Sequence, residues 1–312
     1  MKVVVTGVAG FIGSQLAERL LADGHEVVGV DCFTDYYARA IKERNLERLR
    51  ASDGFRLLEQ RLQDAELPPL LEGAAHVYHL AAQAGVRASW GHEFAAYTDH
   101  NVLASQRLLE AALATGRPKV VYASSSSVYG DCRSLPLRED GPCQPVSPYG
   151  VTKLAAEHLA VLYHRNFGLD TTSLRFFTVY GPRQRPDMAF HRFLRAARDG
   201  TPVTVFGDGL QTRDFTYVDD IVAALRAAAL SGRPGSVYNV GGGERIALNE
   251  VLRLIETVTA RPLRIQRQEN QKGDMRDTFA DTAAARRDLG FRSTVPLAEG
   301  LAREWDWVRG LP

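Results

Sequence analysis

The chain is poor in the features that would mark it as secreted, metal-bound, membrane-embedded or nucleic-acid-binding. It has three cysteines in 312 residues, Cys32, Cys132 and Cys143. Three cannot all pair, and their spacing matches no metal-ligand pattern, so a reducing compartment is expected. The eight histidines show no HxxxH or comparable ligand spacing, and no metal is expected. Lysine and arginine (38) nearly balance aspartate and glutamate (37), which argues against nucleic acid as a partner, since such binders concentrate basic charge. No apolar run reaches membrane length, and the N-terminus enters a strand-like run, Lys2–Thr6, without a charged leader or cleavage site. A soluble, cytoplasmic protein without membrane contact is expected. Repeats, low-complexity tracts and long linkers are also missing.

What the chain does have is a rhythm. Val3–Val5, Glu26–Asp31, Arg56–Leu58, Val77–Leu80, Val120–Ser124 and Ser173–Phe177 read as short buried strands. Between them Ile12–Ala22, Ala95–Thr115 and Tyr149–Phe167 carry apolar residues at helical spacing. This alternation predicts an α/β fold, a doubly wound parallel sheet of the Rossmann type. Beyond Gly181 turn-rich pieces such as Phe206-Gly207-Asp208-Gly209 interrupt the rhythm. The expected division is therefore a dinucleotide-binding domain over residues 1–180 and a smaller, partly interleaved lobe over 181–312, with some later elements returning to the first.

Gly7-Val8-Ala9-Gly10-Phe11-Ile12-Gly13 falls where the first strand meets the first helix. Glycines there permit a tight turn, backbone approach to a phosphate, and close helix–strand packing, while the helix N-terminus offers free N–H groups to a pyrophosphate. Asp31 ends the second strand, where a carboxylate accepts ribose hydroxyls and repels a 2′-phosphate, so NAD is predicted over NADP. Tyr149-Gly150-Val151-Thr152-Lys153 sets a phenol and an ammonium one helical turn apart. A free phenol has a pKa of about 10, and a neighbouring cation lowers it toward use as a base. Four serines, Ser124–Ser127, end the preceding strand and are poor packing material.

Several segments, in order, resemble the nucleotide-sugar epimerase/dehydratase family, the extended short-chain dehydrogenases. The glycine spacing is theirs, and the likeness runs along essentially the whole chain. Asp31-Cys32-Phe33-Thr34-Asp35-Tyr36-Tyr37, His79-Leu80-Ala81-Ala82-Gln83-Ala84-Gly85-Val86-Arg87, Arg175–Pro182 and Arg185-Pro186-Asp187-Met188-Ala189 are similar to segments of its UDP-glucuronate 4-epimerases. The resemblance implies Tyr149 as base, Lys153 as its activator and nicotinamide-ribose contact, and Ser125 as the catalytic hydroxyl. It implies a cofactor site of Gly7, Gly10, Phe11, Ile12, Gly13, Asp31, Leu62, Leu80, Ala81, Ala82, Tyr149 and Lys153. Substrate contacts would come from Ser126, Ser127, Arg87, Thr178 and Arg185. Arg192, Arg213 and Arg276 would hold the diphosphate, and the backbone at Val205 the uracil.

Dehydratases of this kind carry an Asp-Glu pair, and UDP-glucuronate decarboxylases a glutamate, where this chain has Ser126 and Ser127. Their absence favours C4 epimerisation of a UDP-linked hexuronic acid through a 4-keto intermediate. Arg185 suits a carboxylate, because its planar fork donates parallel hydrogen bonds. Thr178 replaces the asparagine usual in galactose-type epimerases. A decarboxylase, a UDP-hexose or N-acetylhexosamine epimerase, and a non-catalytic dinucleotide sensor stand as alternatives. Three positions depart from the pattern: Cys32 for asparagine, Arg61 where relatives often hold an aspartate to adenine, and Gln271 for a galactose-type arginine. Relatives pair through helices equivalent to 95–115 and 149–167, so a homodimer is expected.

Overall fold

The computed structural model describes residues 1–131, 134–269 and 271–311. Cys132 lies outside the described residues; Cys32 and Cys143 are free thiols. Seven parallel strands form the central sheet: β1 (Lys2–Thr6), β2 (Glu26–Asp31), β3 (Phe55–Glu59), β4 (Ala74–His79), β5 (Lys119–Ser125), β6 (Thr171–Phe176) and β10 (Ser236–Val240). Their spatial order is β10-β6-β5-β4-β1-β2-β3. The chain winds one way from β1 to β3 and the other way from β4 onward, so the β1/β4 boundary is the switch point where ligands of such sheets bind.

The middle of this sheet is buried on both faces, and β1, β2 and β5 there carry runs of valine. Val3, Val5, Val27 and Val121 point into one core with Leu16 and Leu20 of α1 (Phe11–Ala22). Their neighbours Val4, Val28, Val77 and Val120 point into the other with Leu108, Leu109 and Tyr163. The helix bundle on this second side comprises α3 (Leu67–Leu71), α4 (Phe94–Tyr97), α5 (Ala104–Ala114) and α6 (Pro148–Phe167), while α2 (Arg39–Arg50) lies against α1.

The segment read as one helix over 95–115 is not regular. Between α4 and α5, Thr98–Leu103 forms a π-helical turn. It sets buried Asn101 facing the β4 loop, where Asn101 Oδ1 accepts from Gln83 N at 2.7 Å and Nδ2 donates to Gln83 O at 3.0 Å and Thr152 Oγ1 at 2.9 Å. Hydrophobic periodicity does not register one such inserted residue.

After β7 (Thr178–Tyr180) the chain is more helical than its turn-rich sequence suggests. It contains α7 (Ala189–Asp199), α8 (Val218–Ser231), α9 (Leu248–Thr259), α10 (Ala283–Leu289) and α11 (Leu297–Arg309). Here β7 and β11 (Arg245–Ala247) flank β9 (Thr212–Tyr217), and β8 (Val203–Phe206) pairs with β12 (Ile265–Gln268). Helices α7, α9 and α11 pack on one another, whereas α8 returns to α1, β5 and β6, as β10 returns to the sheet edge. Among the described residues, no helix is long and apolar enough to cross a membrane.

Candidate active site

At the switch point the backbone makes the approach that the glycines permit. Gly7 has φ +70°, and a Cβ there would stand 2.8 Å from Ala81 N. A Cβ on Gly13 would stand 2.2 Å from Gly7 O, so α1 meets the β1 turn only with glycine at this place. The result is a cavity lined by Gly7, Gly10, Phe11, Ile12, Gly13, Asp31, Leu62, Leu80, Ala81, Ala82, Tyr149 and Lys153, with Arg185 on its wall. All twelve residues predicted to hold the cofactor thus face one space.

Asp31 accepts hydrogen bonds from Ala9 N at 3.0 Å and Phe33 N at 2.9 Å, which fix its carboxylate at the cavity edge. Burial pushes this carboxyl up from its ordinary range, opposed by those N–H groups and by Lys42. Lys42 and Asn45 carry no sequence signal, yet both shape this end. The Lys42 ammonium donates to Thr34 O at 2.8 Å, and Asn45 Nδ2 donates to Ala9 O at 3.0 Å. Arg61 pairs with Asp99 and, at 3.6 Å, with Asp64. It shares a shallow extension of the cleft with Cys32, Asp99 and His100.

Toward the middle of the cleft stands Tyr149. Burial raises its phenol, while a hydrogen bond with Ser125 and the charge of Arg185 lower it. The Lys153 ammonium lies 4.5 Å above the Tyr122 ring and is pulled down to about 7 by burial, with Glu157 acting in the opposite sense. Arg185 thus places a cation near the phenol, and Lys153, the expected activator, lines the same cavity one helical turn from Tyr149. Ser125 Oγ also accepts from Ser127 N at 3.1 Å. Ser124 donates to Glu157 at 2.6 Å, and Glu157 forms a buried pair with Arg175 at 2.7 Å. Of the serine run, Ser124 is thus tied into the scaffold, Ser126 is buried, and Ser125 meets the phenol.

The substrate-side arginines divide. Arg185 donates from Nε and Nη2 to both oxygens of Asp187, each at 2.9 Å. Arg87, Arg213 and Arg276 gather at the 274–277 segment. Arg87 pairs with Asp274 at 2.7 Å and stacks 4.2 Å over Phe206. Arg213 donates to the carbonyls of Thr212, Met275 and Arg276. Arg276 forms a two-pronged pair with Asp208 at 2.9 Å. Arg192 is exposed in the first turns of α7, and Thr178 is half-buried at the start of β7. Val205 is buried within β8 opposite Arg267.

A dinucleotide cradle whose wall presents a tyrosine bonded to a serine, and a partly buried arginine, defines an enzyme of oxidation and reduction at a hydroxyl-bearing carbon. Residues 3–241 match the NAD dependent epimerase/dehydratase family, and the chain belongs to that family. It is 43% identical to an uncharacterized UDP-glucose epimerase of Bacillus subtilis, over 100% of this chain and 99% of that one. It is 38% identical to a UDP-glucuronate 4-epimerase of Thermodesulfobacterium geofontis, over 98% and 95%. Among solved structures, it superposes with a TM-score of 0.96 on the UDP-glucuronic acid 4-epimerase of Bacillus cereus in complex with UDP-glucuronic acid and NAD. That match has 41% identity and covers 99% of each chain.

Proposed function

We propose that the protein is an NAD-dependent 4-epimerase of UDP-glucuronate, interconverting it with UDP-galacturonate. The observation that carries this reading is that Tyr149 and Arg185 line one dinucleotide cavity, with Ser125 hydrogen-bonded to the Tyr149 phenol. Bound NAD supplies a reversible hydride acceptor. Gly7, Gly10 and Gly13 admit its pyrophosphate to the α1 N-terminus, and Asp31 receives the ribose hydroxyls. Tyr149 takes the proton from the C4 hydroxyl as that carbon is oxidised, and Ser125 hydrogen-bonds the same oxygen. Lys153 adds positive charge beside the cofactor ribose. The ketone then turns over within the pocket and is reduced on its opposite face, with Tyr149 returning the proton. Neither Ser126 nor Ser127 offers a carboxylate to divert the intermediate toward dehydration or decarboxylation.

Arg185 and Thr178 receive the uronate carboxylate, with Ser126 and Ser127 beside the sugar. Arg192, Arg213 and Arg276 serve the diphosphate, Arg87 is a further substrate contact, and the β8 backbone near Val205 serves the uracil. We place the Rossmann domain at 1–180 and the substrate lobe mainly at 181–312. The enzyme would work in the cytoplasm as a homodimer. Leu103, Val151 and Leu162 leave an apolar face exposed on the α5/α6 side, at 45%, 48% and 49% exposure. Light scattering should give a dimer for the native chain and a monomer for Val151→Glu/Leu162→Glu.

The decisive test is an NMR time course with UDP-glucuronate and no added reductant. UDP-galacturonate rising to a stable mixture establishes the reading. A UDP-pentose would make the enzyme a decarboxylase. Turnover of UDP-glucose alone would place it with its Bacillus subtilis relative's name and remove the carboxylate role of Arg185.

A further inference from the structure

Epimerisation asks something unusual of the group that binds the uronate carboxylate. To present its other face, the ketone must swing round, and its carboxylate must leave one set of partners and find them again. A guanidinium left in a partly shielded site during that swing loses its counter-charge, and a charge shielded from water without a partner is costly.

The structure shows where Arg185 finds a partner. It and Asp187 sit on one turn, closed by Met188 N donating to Arg185 O at 3.1 Å, with Pro186 between them. The carboxylate grips the guanidinium through Nε and Nη2, leaving its remaining donors directed elsewhere. Asp187 is itself held from the cofactor side, where Tyr36 donates to its second oxygen at 3.3 Å. Tyr36 is fixed in turn: a Cβ on Gly85 would stand 2.2 Å from its hydroxyl, and the Arg185 guanidinium lies 5.8 Å from its ring centre. The side chains of Arg185 and Asp187 are only 22% and 35% exposed, so the pair is partly shielded without being sealed in.

We propose that Asp187 is the resting counter-ion of Arg185, taking the guanidinium back each time the substrate carboxylate lets go, so that the 4-keto sugar turns over without leaving a bare cation behind. This rests on Arg185 as the uronate-binding group. Asp187 does not touch the reacting atoms; it is a positioning residue acting through Arg185. A permanent, undivided attraction between Arg185 and the uronate would favour binding and oppose rotation. Competition from Asp187 weakens the bound state and lowers the barrier to release. Arg185 also acts on the Tyr149 phenol, so the same exchange keeps a cation near the base throughout. The titratable groups that interact with this pair are Tyr36, Tyr37, Tyr97, Tyr149 and, from α7, His191, and none of these supplies a second carboxylate.

The test compares wild type with Asp187→Asn and Asp187→Ser in the full-length, NAD-loaded enzyme, using UDP-glucuronate as substrate. We expect KM unchanged or lower and kcat reduced about tenfold, equivalent to about 1.4 kcal/mol on the barrier. The slowed step follows oxidation, so the absorbance of reduced nicotinamide should build up during steady turnover, a signal that a merely structural role would not produce. Asp187→Glu should recover much of kcat. A raised KM at unchanged kcat would mean that Asp187 only aims Arg185 for binding, and would overturn the proposal. Wild-type constants in both variants would overturn it equally. A wild-type enzyme that leaves UDP-glucuronate unchanged would instead refute the substrate reading, before any variant is compared.

Discussion

Lys153 and Arg185 each have a charge state or partner set by burial, and each gives a prediction at the scale of one side chain. Burial brings Lys153 down to about 7, with Glu157 holding it up. The group is cationic below that value and neutral above it. If the cation is what supports turnover, kcat should fall as pH rises beyond about 7, in proportion to the charged fraction. Lys153→Arg keeps its charge at every accessible pH, so its residual kcat should lack that alkaline decline. A pH series of kcat for the two proteins decides this, and parallel profiles would assign the decline to another group. Arg185→Ala removes the carboxylate's proposed anchor. A 4-keto uronic acid is a β-keto acid and loses carbon dioxide when its C–CO2 bond stands perpendicular to the ketone. The variant should therefore weaken UDP-glucuronate binding by about tenfold or more, as expected when a charge-assisted pair is lost, or release UDP-pentose. Clean epimerisation at unchanged affinity, read by NMR and calorimetric titration, would exclude that role.

At the scale of elements, the π-helical turn is the feature that most affects the site without contributing to its chemistry. Asn101 joins both backbone groups of Gln83 to Thr152, which lies between Tyr149 and Lys153 on α6. It thereby ties the cavity wall after β4 to the helix that carries the phenol. Asn101→Ala leaves the part-buried N–H and carbonyl of Gln83 without partners, at a cost of about 1–3 kcal/mol. A thermal melt should show that loss, and kcat should fall more than KM rises, because the tie aims Tyr149 rather than binding substrate. A variant as stable and active as wild type would remove this role. The same turn shows where the sequence was legible. Strands β1 to β6 announced themselves as short apolar runs, of valine in β1, β2 and β5, because a covered sheet selects them; Gly7, Gly10 and Gly13 did so because close backbone approach forces their spacing, and Asp31 because it ends the second strand. The π turn, Lys42, Asn45 and Asp187 did not. They are specified by tertiary partners far along the chain or by local geometry, which leave no period to read.

At the scale of the whole molecule, cofactor and fold are linked by mass action. The cavity draws its walls from the ends of β1, β2, β4 and β5, from α6 and from the Arg185 turn, which follows β7. A ligand held by all of these binds the native state and not the unfolded chain, so it stabilises the protein by RT ln(1 + [L]/Kd), about 2.7 kcal/mol at a hundredfold excess over Kd. An enzyme that regenerates its cofactor in every cycle has no need to release it. The purified protein should therefore carry NAD, detectable after acid denaturation, and stripping it should lower Tm. Added NAD should restore the melting temperature. NADP should not, because the 2′-phosphate would meet the Asp31 carboxylate that Ala9 and Phe33 hold in place. Asp31→Asn separates charge from shape: it should weaken the NAD shift and narrow the gap between the two cofactors. Equal stabilisation of the wild-type chain by NAD and NADP would show that Asp31 does not read the ribose. A protein that purifies empty and exchanges NAD freely would favour the dinucleotide sensor over the epimerase, even with the tyrosine and lysine in place.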